Sequence, residues 1–179
     1  MTTARGLTVW LTGLPGSGKT TTATVLTERL SAIGEQSVIL DGDILRSGLN
    51  RDLGFSDADR NESVRRAGEV ALLLASVDCI VIVSLVSPLR IARDAVRARH
   101  HESGVGFIEV HIAAPLEVCE ERDPKGLYAR ARRGEVASMT GIDSPYEAPL
   151  HPEVTLATDV DSVAAGVERL VDAVLAQRR

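Results

Sequence analysis

The chain has 179 residues, of which 44% are hydrophobic and 25% charged, and this is the size and composition of a single globular domain spanning residues 1–179. A net charge of −5 argues against nucleic acid as a partner, and the longest apolar run, residues 79–86, is too short to cross a membrane. Two cysteines without a CxxC partner, and an N-terminus that runs straight into a strand-like segment with no room for a signal peptide, predict a cytoplasmic protein.

Apolar runs alternate with helical patterns along the chain. The runs predict five strands, at residues 7–11, 37–40, 79–85, 106–113 and 154–157. Helical spacing predicts helices at residues 19–33, 60–75, 88–101, 115–121 and 161–177, with a polar loop between the second strand and the second helix. Apolar strands separated by helices indicate an α/β fold in which a parallel sheet has helices on both faces.

The turn after the first strand carries the strongest single motif. Residues 13–20, GLPGSGKT, match G-x-x-x-x-G-K-[ST] after a strand and at the start of a helix. In such a turn the backbone folds round phosphate oxygens, the lysine reaches the β- and γ-phosphates, and the next hydroxyl ligates Mg²⁺. We therefore predict a P-loop NTPase-type sheet that binds ATP and Mg²⁺, with Thr20 as the metal ligand. The predicted nucleotide-binding residues are Gly13, Leu14, Pro15, Gly16, Ser17, Gly18, Lys19, Thr20 and Thr21.

Other P-loop classes fit less well than a small-molecule kinase. GTPases recognise guanine through Asn-Lys-x-Asp, and neither of the two lysines, Lys19 and Lys125, follows an asparagine. The third strand ends in a serine, whereas Asp41 and Asp43 follow the second strand. Because ligands bind beyond the carboxyl ends of parallel strands, we expect Asp41 beside the phosphates, where a carboxylate can accept a proton from an attacking hydroxyl. For both aspartates the alternative is an N-cap of a following helix.

Five arginines and a loop phenylalanine follow Asp41, between residues 46 and 66. A doubly anionic substrate calls for the planar, bidentate donors that arginine supplies. The alternative is a solvated, salt-bridged face, which suffices for Arg51 and for at least one of Arg65 and Arg66. Phe55 could stack on a base or cap the core, and composition favours neither.

Residues 122–149 are rich in charge, glycine and proline. They predict a mobile lid whose cations, among them Arg122 and Lys125, close over phosphates and exclude water. The alternative is a plain surface helix and loop. None of the four histidines has the spacing of a metal ligand, so we assign none of them to a metal.

Seven stretches, in order and over essentially the whole chain, form a family pattern. They are TGL with KT within residues 12–20, DGDxxRxGLxxDLGFS at 41–56, DR at 59–60, RR at 65–66, SP at 87–88, RDPKGLY at 122–128 and TGIDSPYE at 140–147. Together they resemble the adenylylsulfate (APS) kinase family. The resemblance implies transfer of the γ-phosphate of ATP to the 3′-hydroxyl of APS in sulfate activation, dependence on Mg²⁺, and a homodimer.

The resemblance also implies roles for single residues. Asp41, Lys19 and Ser87 match catalytic positions, and Arg122 is expected on the nucleotide side. Ser87 matches a serine to which the family assigns a phosphoserine intermediate, although in-line transfer needs no covalent enzyme and a helix N-cap before Pro88 is the alternative. The implied substrate-binding residues are Asp41, Arg46, Phe55, Arg60, Ser63, Lys125, Gly126, Leu127 and Met139.

Three departures from the family pattern accompany the resemblance. Position 63 is Ser where the family usually has Asn, Met139 stands where it has Phe, and Leu85-Val86 replaces Phe-Ile. Two of these touch the acceptor side, so we expect APS to bind more weakly than in the family. The alternatives are a diverged enzyme that phosphorylates another adenylyl or sulfonated metabolite, and a nucleotide-binding regulatory subunit without turnover.

Overall fold

The computed structural model describes residues 6–178, so Met1–Arg5, on which the expectation of no signal peptide rests, and Arg179 lie outside it. Its five strands form one parallel sheet in the order β2-β3-β1-β4-β5. The strands are β1 (Leu7–Thr12), β2 (Ser37–Asp41), β3 (Ile80–Ser84), β4 (Gly106–Ala113) and β5 (Val154–Ala157). The predicted parallel α/β sheet is confirmed, and every predicted strand is present within a residue or two of its expected ends.

The part of the chain that the structure describes contains seven helices. They are α1 (Lys19–Ala32), α2 (Gly42–Ser47), α3 (Asp57–Ala75), α4 (Arg90–Glu102), α5 (Leu116–Arg122), α6 (Leu127–Arg132) and α7 (Val163–Gln177). The sequence did not predict α2 or α6, and the expectation of a polar loop after the second strand was wrong over α2. Each has six residues, less than two turns, which is too short to show an apolar period.

The sheet is buried on both faces, and alternate residues of β1 point to opposite layers of the core. Val9 and its odd-numbered neighbours pack with α1 and α7, for example against Leu26 and Val167. Trp10 points the other way, into the layer under α3 and α4 that contains Ala71 and Val96. Because β1 is the central strand and fully enclosed, its carboxyl end is a rigid base for the turn that follows it.

The exposed side of α3 carries several ion pairs. Glu62 binds Arg65 at 2.7 Å and Arg66 at 2.9 Å, and Arg66 also binds Asp52 at 2.7 Å. The alternative of a salt-bridged face is therefore confirmed for Arg65 and Arg66. Among residues 6–178, no helix is both long and apolar enough to span a bilayer.

Candidate active site

A cleft of about 820 Å³ opens at the carboxyl ends of β1, β2 and β3. Its walls come from the P-loop, α2, α3, the loop after β3 and the lid, residues 122–149. Most of the residues predicted from sequence line it: Pro15, Gly16, Gly18, Lys19, Thr20, Thr21, Asp41, Arg46, Phe55, Arg60, Ser63, Ser87, Arg122, Lys125, Leu127 and Met139. Four predicted residues are not part of its lining: Gly13, Leu14, Ser17 and Gly126.

The P-loop has the backbone geometry that its glycines allow. Gly16 and Gly18 have φ values of +74° and +105°, which side-chain-bearing residues rarely adopt. A Cβ on Gly16 would also lie 3.0 Å from the carbonyl oxygen of Cys119, in α5. The turn therefore stays narrow and presents backbone N–H groups at the start of α1, as a phosphate site requires.

Lys19 lies buried within this turn. Its Nζ donates to the carbonyl oxygens of Gly13 at 2.9 Å and Leu14 at 2.7 Å. Burial lowers the pKa of Lys19 to about 8, although the nearby acidic groups, including Asp41, act in the opposite direction. A cation held at low exposure next to the glycine turn concentrates positive potential where a phosphate would lie.

Asp41 connects the end of β2 to the P-loop helix. Its Oδ2 accepts from Thr20 Oγ1 at 2.9 Å, and its Oδ1 accepts from the backbone N–H of Asp43 at 2.9 Å. Asp41 is therefore the N-cap of α2 as well as a cleft residue, because the two roles use different oxygens. The N-cap alternative was wrong for Asp43, which lies in the first turn of α2 and pairs with Lys125 of the lid.

The donor set around Thr20 suits Mg²⁺. The Thr20 hydroxyl and the Asp41 carboxylate adjoin, and Ser84 Oγ lies 3.5 Å from Thr20 Oγ1. Residues 6–178 contain no group of three or more His, Cys, Asp or Glu side chains arranged to hold a metal ion. A site with one carboxylate and one hydroxyl fits an ion that takes its remaining ligands from phosphates and water, as Mg²⁺ usually does.

Arg46 and Phe55 form a stacked pair on the wall of the cleft. The guanidinium carbon of Arg46 lies 4.2 Å from the centre of the Phe55 ring, and Arg46 Nη1 donates to the carbonyl of Gly54 at 3.2 Å. Phe55 is 57% exposed, so the alternative that it caps the core was wrong. Burial lowers the pKa of Arg46, which marks its surroundings as partly desolvated.

Arg60 ties α3 to the lid. It donates to the carbonyl of Phe55 at 2.9 Å, to Thr140 Oγ1 at 2.5 Å and to the carbonyl of Ser138. Burial lowers the pKa of Arg60, and the positive charge of Arg46 lowers it further. Two guanidinium groups that repel each other beside an open cleft would both be stabilised by an anion bound near them.

Ser87 is buried in the loop after β3, and its hydroxyl is engaged by the core. Trp10 Nε1 donates to Ser87 Oγ at 3.0 Å, and Arg93 Nη1 donates to the Ser87 carbonyl at 2.6 Å. The residue has φ of +40°, in the left-handed region. The alternative that Ser87 caps α4 was wrong, because Leu89 holds that position.

The lid packs on the P-loop through a small apolar cluster of its own. Tyr128 and Met139 are buried together with Cys119, and Leu14 of the P-loop packs against them. Tyr128 also donates its hydroxyl to the carbonyl of Pro15 at 2.9 Å. This cluster thus anchors the lid to the P-loop, and the Lys125–Asp43 ion pair joins the lid to α2.

Sequence reasoning missed the contribution of the loop after β5. Thr158 lines the cleft, its Oγ1 donates to the carbonyl of Ser17 at 2.7 Å, and Arg122 donates to its carbonyl at 2.7 Å. Val163, at the start of α7, also lines the cleft. Thr158 directly follows a predicted strand, so the strand-end rule applied to the first three strands would have found it.

Comparison with known proteins places this chain among close relatives. The family described as adenylylsulphate kinase matches residues 5–157. The adenylyl-sulfate kinase of Paraburkholderia xenovorans is 50% identical over 171 residues, which cover 96% of this chain and 94% of that protein. The structure of the Mycobacterium tuberculosis APS kinase in complex with AMPPNP and APS superimposes with a TM-score of 0.92 at 48% identity, over 96% of this chain and 98% of that one.

A third relative assembles into a larger particle. The hexameric APS kinase from Thiobacillus denitrificans is 31% identical, with a TM-score of 0.72, over 98% of this chain but only 30% of that chain. The family match covers most of the present chain, and the first relative is well above 30% identity over nearly all of it. The chain therefore belongs to the adenylylsulfate kinase family.

Proposed function

We propose that this protein transfers the γ-phosphate of ATP to the 3′-hydroxyl of APS, giving 3′-phosphoadenylylsulfate and ADP. The observation that carries the proposal is the hydrogen bond between Thr20 and Asp41, because it places a carboxylate directly beside the phosphate-binding turn. Family membership supports the same reaction. The P-loop alone would fit any user of a nucleoside triphosphate.

On the nucleotide side, the chain supplies charge and position. Lys19 and backbone N–H groups of the P-loop, residues 13–20 apart from Pro15, hold the β- and γ-phosphates, and Arg122 lines the cleft beside this subsite. The hydroxyl of Thr20, which is hydrogen-bonded to Asp41, would hold Mg²⁺. When bound, the ion would neutralise charge on the phosphate oxygens. The gain comes from alignment and charge neutralisation, because phosphoryl transfer requires little covalent chemistry from the protein.

On the acceptor side, Asp41 is the proton acceptor. As the 3′-oxygen bonds to the γ-phosphorus, the bond from that phosphorus to the β–γ bridging oxygen breaks, and ADP leaves with the electron pair. The hydroxyl proton passes to a carboxylate oxygen of Asp41. The carboxylate keeps its orientation through the step because the N–H of Asp43 binds its other oxygen.

The acceptor is held by an aromatic wall and two cations. Phe55 offers an exposed ring for the adenine, and Met139 lines the cleft from the lid. Arg46 and Arg60 both lie beside Phe55, with their guanidinium carbons 4.2 and 5.9 Å from the ring centre. This pair of positive charges suits the phosphosulfate of APS.

The lid contributes Lys125, Gly126 and Leu127 to the same acceptor. Lys125 reaches the cleft mouth, and Gly126 has φ of +64° at the start of α6, which lets the chain turn sharply after the lysine. We propose that this segment closes over the bound substrates and excludes water, which would otherwise compete with the 3′-hydroxyl for the phosphate.

The direct test is an assay of the purified protein with Mg-ATP and APS, in which both nucleotide products are separated and quantified. We expect equimolar ADP and 3′-phosphoadenylylsulfate, with product formation slowed about 10²- to 10⁴-fold in Asp41→Asn and abolished when Mg²⁺ is chelated. Turnover of a different adenylyl or sulfonated acceptor with none of APS would identify a diverged enzyme. ATP binding with no acceptor turned over would identify a regulatory subunit.

We further propose that the protein acts in the cytoplasm, where ATP is available, and as a homodimer. The hexameric relative supports self-association, without fixing the number of copies in this case. Light scattering coupled to size-exclusion chromatography gives the mass directly, and a mass of one chain at micromolar concentration contradicts the dimer.

A further inference from the structure

Ser63 lies on the acceptor wall of the cleft, one helical turn after Arg60 on α3, and it is 6% exposed. Behind it, in the turn between α2 and α3, is Asn50, which is 1% exposed. Asn50 Nδ2 donates to Ser63 Oγ at 2.9 Å. This is a side-chain hydrogen bond between two buried groups, only one of which lines the cleft.

The bond fixes what Ser63 can offer a substrate. A hydroxyl has one hydrogen to donate and lone pairs to accept with. In Ser63 the amide of Asn50, a residue that does not line the cleft, occupies one lone pair, and the Ser63 hydroxyl donates no hydrogen bond to any group among residues 6–178. The hydrogen is therefore the group left free to point into the cleft.

Asn50 is held in place although its side-chain oxygen lacks a hydrogen-bond partner within residues 6–178. Its backbone N–H donates to the carbonyl of Leu45 at 2.8 Å, and its own carbonyl accepts from the N–H of Leu53 at 3.1 Å, so the turn fixes the backbone from which the side chain reaches Ser63. Within the described chain, its Oδ1 is buried without a hydrogen-bond partner. A buried carbonyl oxygen without a partner lowers the stability of the fold by about 1–3 kcal/mol. A group kept at such a cost calls for a role beyond packing.

We propose that Asn50 is a positioning residue that aims the Ser63 hydroxyl as a hydrogen-bond donor at the acceptor substrate. The partner on the substrate is an oxygen or ring nitrogen of the adenylyl acceptor, close to the anionic part that Arg60 faces. The inference rests on the proposed function, because it takes the wall formed by Phe55, Arg60 and Ser63 as the acceptor subsite.

The experiment compares Asn50→Asp with Ser63→Ala. Aspartate has nearly the same shape but only accepts hydrogen bonds, so it captures the Ser63 hydrogen and turns the donor away from the cleft. We expect both variants to raise the KM for APS by about 3- to 10-fold, the size of one lost neutral hydrogen bond, with the KM for ATP unchanged. Adding Asn50→Asp to Ser63→Ala should raise the KM no further, since the donor is already gone.

Two further variants separate this role from a structural one. Asn50→Leu keeps the branched shape of the side chain and removes the amide, so the Ser63 hydroxyl rotates freely and the KM for APS rises less than with aspartate. Asn61→Asp makes the same chemical change on α3, at a residue that does not line the cleft, and is the matched control. If Asn50→Asp does not fold, Asn50→Leu carries the test, both alone and combined with Ser63→Ala.

The outcomes also distinguish this inference from the proposed function. A wild-type protein that forms no 3′-phosphoadenylylsulfate overturns the proposed function. An active wild type in which the Asn50 variants leave the KM for APS unchanged overturns the positioning role alone. Equal effects of the Asn50 variants with and without the Ser63 hydroxyl, or equal effects on both substrates, also overturn it.

Discussion

Thr20 Oγ1 donates to Asp41 Oδ2 at 2.9 Å, and this contact joins the turn after β1 to the end of β2. The two residues are 21 positions apart in sequence, and the sheet brings them together although β3 lies between their strands. Asp41 Oδ1 separately caps α2 by accepting from the N–H of Asp43. The same carboxylate therefore has one oxygen beside the phosphate-binding turn and one that stabilises a helix. The two contributions can be separated by substitution.

Asp41→Asn keeps an N-cap and removes the proton acceptor. Asparagine is as good an N-cap as aspartate, so the free energy of unfolding should stay near the wild-type value, whereas kcat should fall by about 10²- to 10⁴-fold. Asp41→Ala should lose the same activity and, in addition, about 1 kcal/mol of stability. Urea unfolding and steady-state kinetics on the three proteins measure both quantities. An asparagine variant with wild-type kcat removes Asp41 from the chemistry.

Lys19 should impose an alkaline limit on nucleotide use. Burial lowers its pKa to about 8 in the protein without nucleotide, so above that pH a growing fraction of the lysine is neutral. We expect kcat/KM for ATP to fall as pH rises through about 8, because this ratio reports ionisations of the free enzyme. Lys19→Arg stays charged throughout and should show a lower plateau without that fall. An identical alkaline limb in the arginine variant assigns the ionisation to another group.

Ser87→Ala should remain an active kinase. The Ser87 hydroxyl already accepts from Trp10, deep in the core, so its loss leaves a buried indole N–H without a partner and should cost about 1–3 kcal/mol of stability. The kcat should fall by no more than about tenfold, because the substitution would only shift the loop after β3 slightly and would remove no reacting group. A phosphoserine intermediate requires instead that the alanine variant lose all activity and that wild-type protein incubated with Mg-ATP carry added phosphate by intact mass.

Lys125 and Asp43 form an ion pair at the cleft mouth, with side chains 56% and 67% exposed. A pair so exposed contributes at most about 1 kcal/mol to folding, so Lys125→Ala should leave the melting temperature almost unchanged. If Lys125 binds the substrate anions, the alanine variant should raise the KM for APS, while Asp43→Asn, which frees the lysine, should lower it or leave it unchanged. Equal increases in both variants show that the pair itself, rather than the lysine charge, is required.

The sheet, its strands and most cleft residues could be predicted from sequence because each depends on a local pattern. The P-loop is one continuous stretch, and Asp41 follows a strand directly. Tyr128 could not be placed in the same way, because it reaches the cleft only through the packing of the lid on the P-loop. The sequence offered the cleft position and the N-cap of Asp41 only as alternatives, and the helix that Asp41 caps has six residues, too few for a periodic signal.

A buried histidine far from the cleft gives the fold a pH dependence. His100 is fully buried in α4, its Nδ1 lies 2.8 Å from the carbonyl of Val96, and its Nε2 lies 2.9 Å from Thr8 Oγ1. The carbonyl can only accept, so Nδ1 carries the hydrogen and neutral Nε2 accepts from Thr8. Burial lowers the pKa of His100 below its ordinary value of 6.5, while the hydrogen bond to the Val96 carbonyl and the charge of Glu69 act against this change and Arg99 reinforces it.

The sign of the effect follows from proton binding. Below pH 6.5 the unfolded chain binds a proton at this histidine that the folded chain does not, so stability is complete above pH 6.5 and declines as pH falls towards the lower folded pKa. Urea midpoints measured between pH 7.5 and 5.5 should therefore decrease. His100→Gln should flatten this slope, and only in part, because burial also lowers the pKa of His111. A glutamine variant with the full wild-type slope assigns the whole effect to groups other than His100.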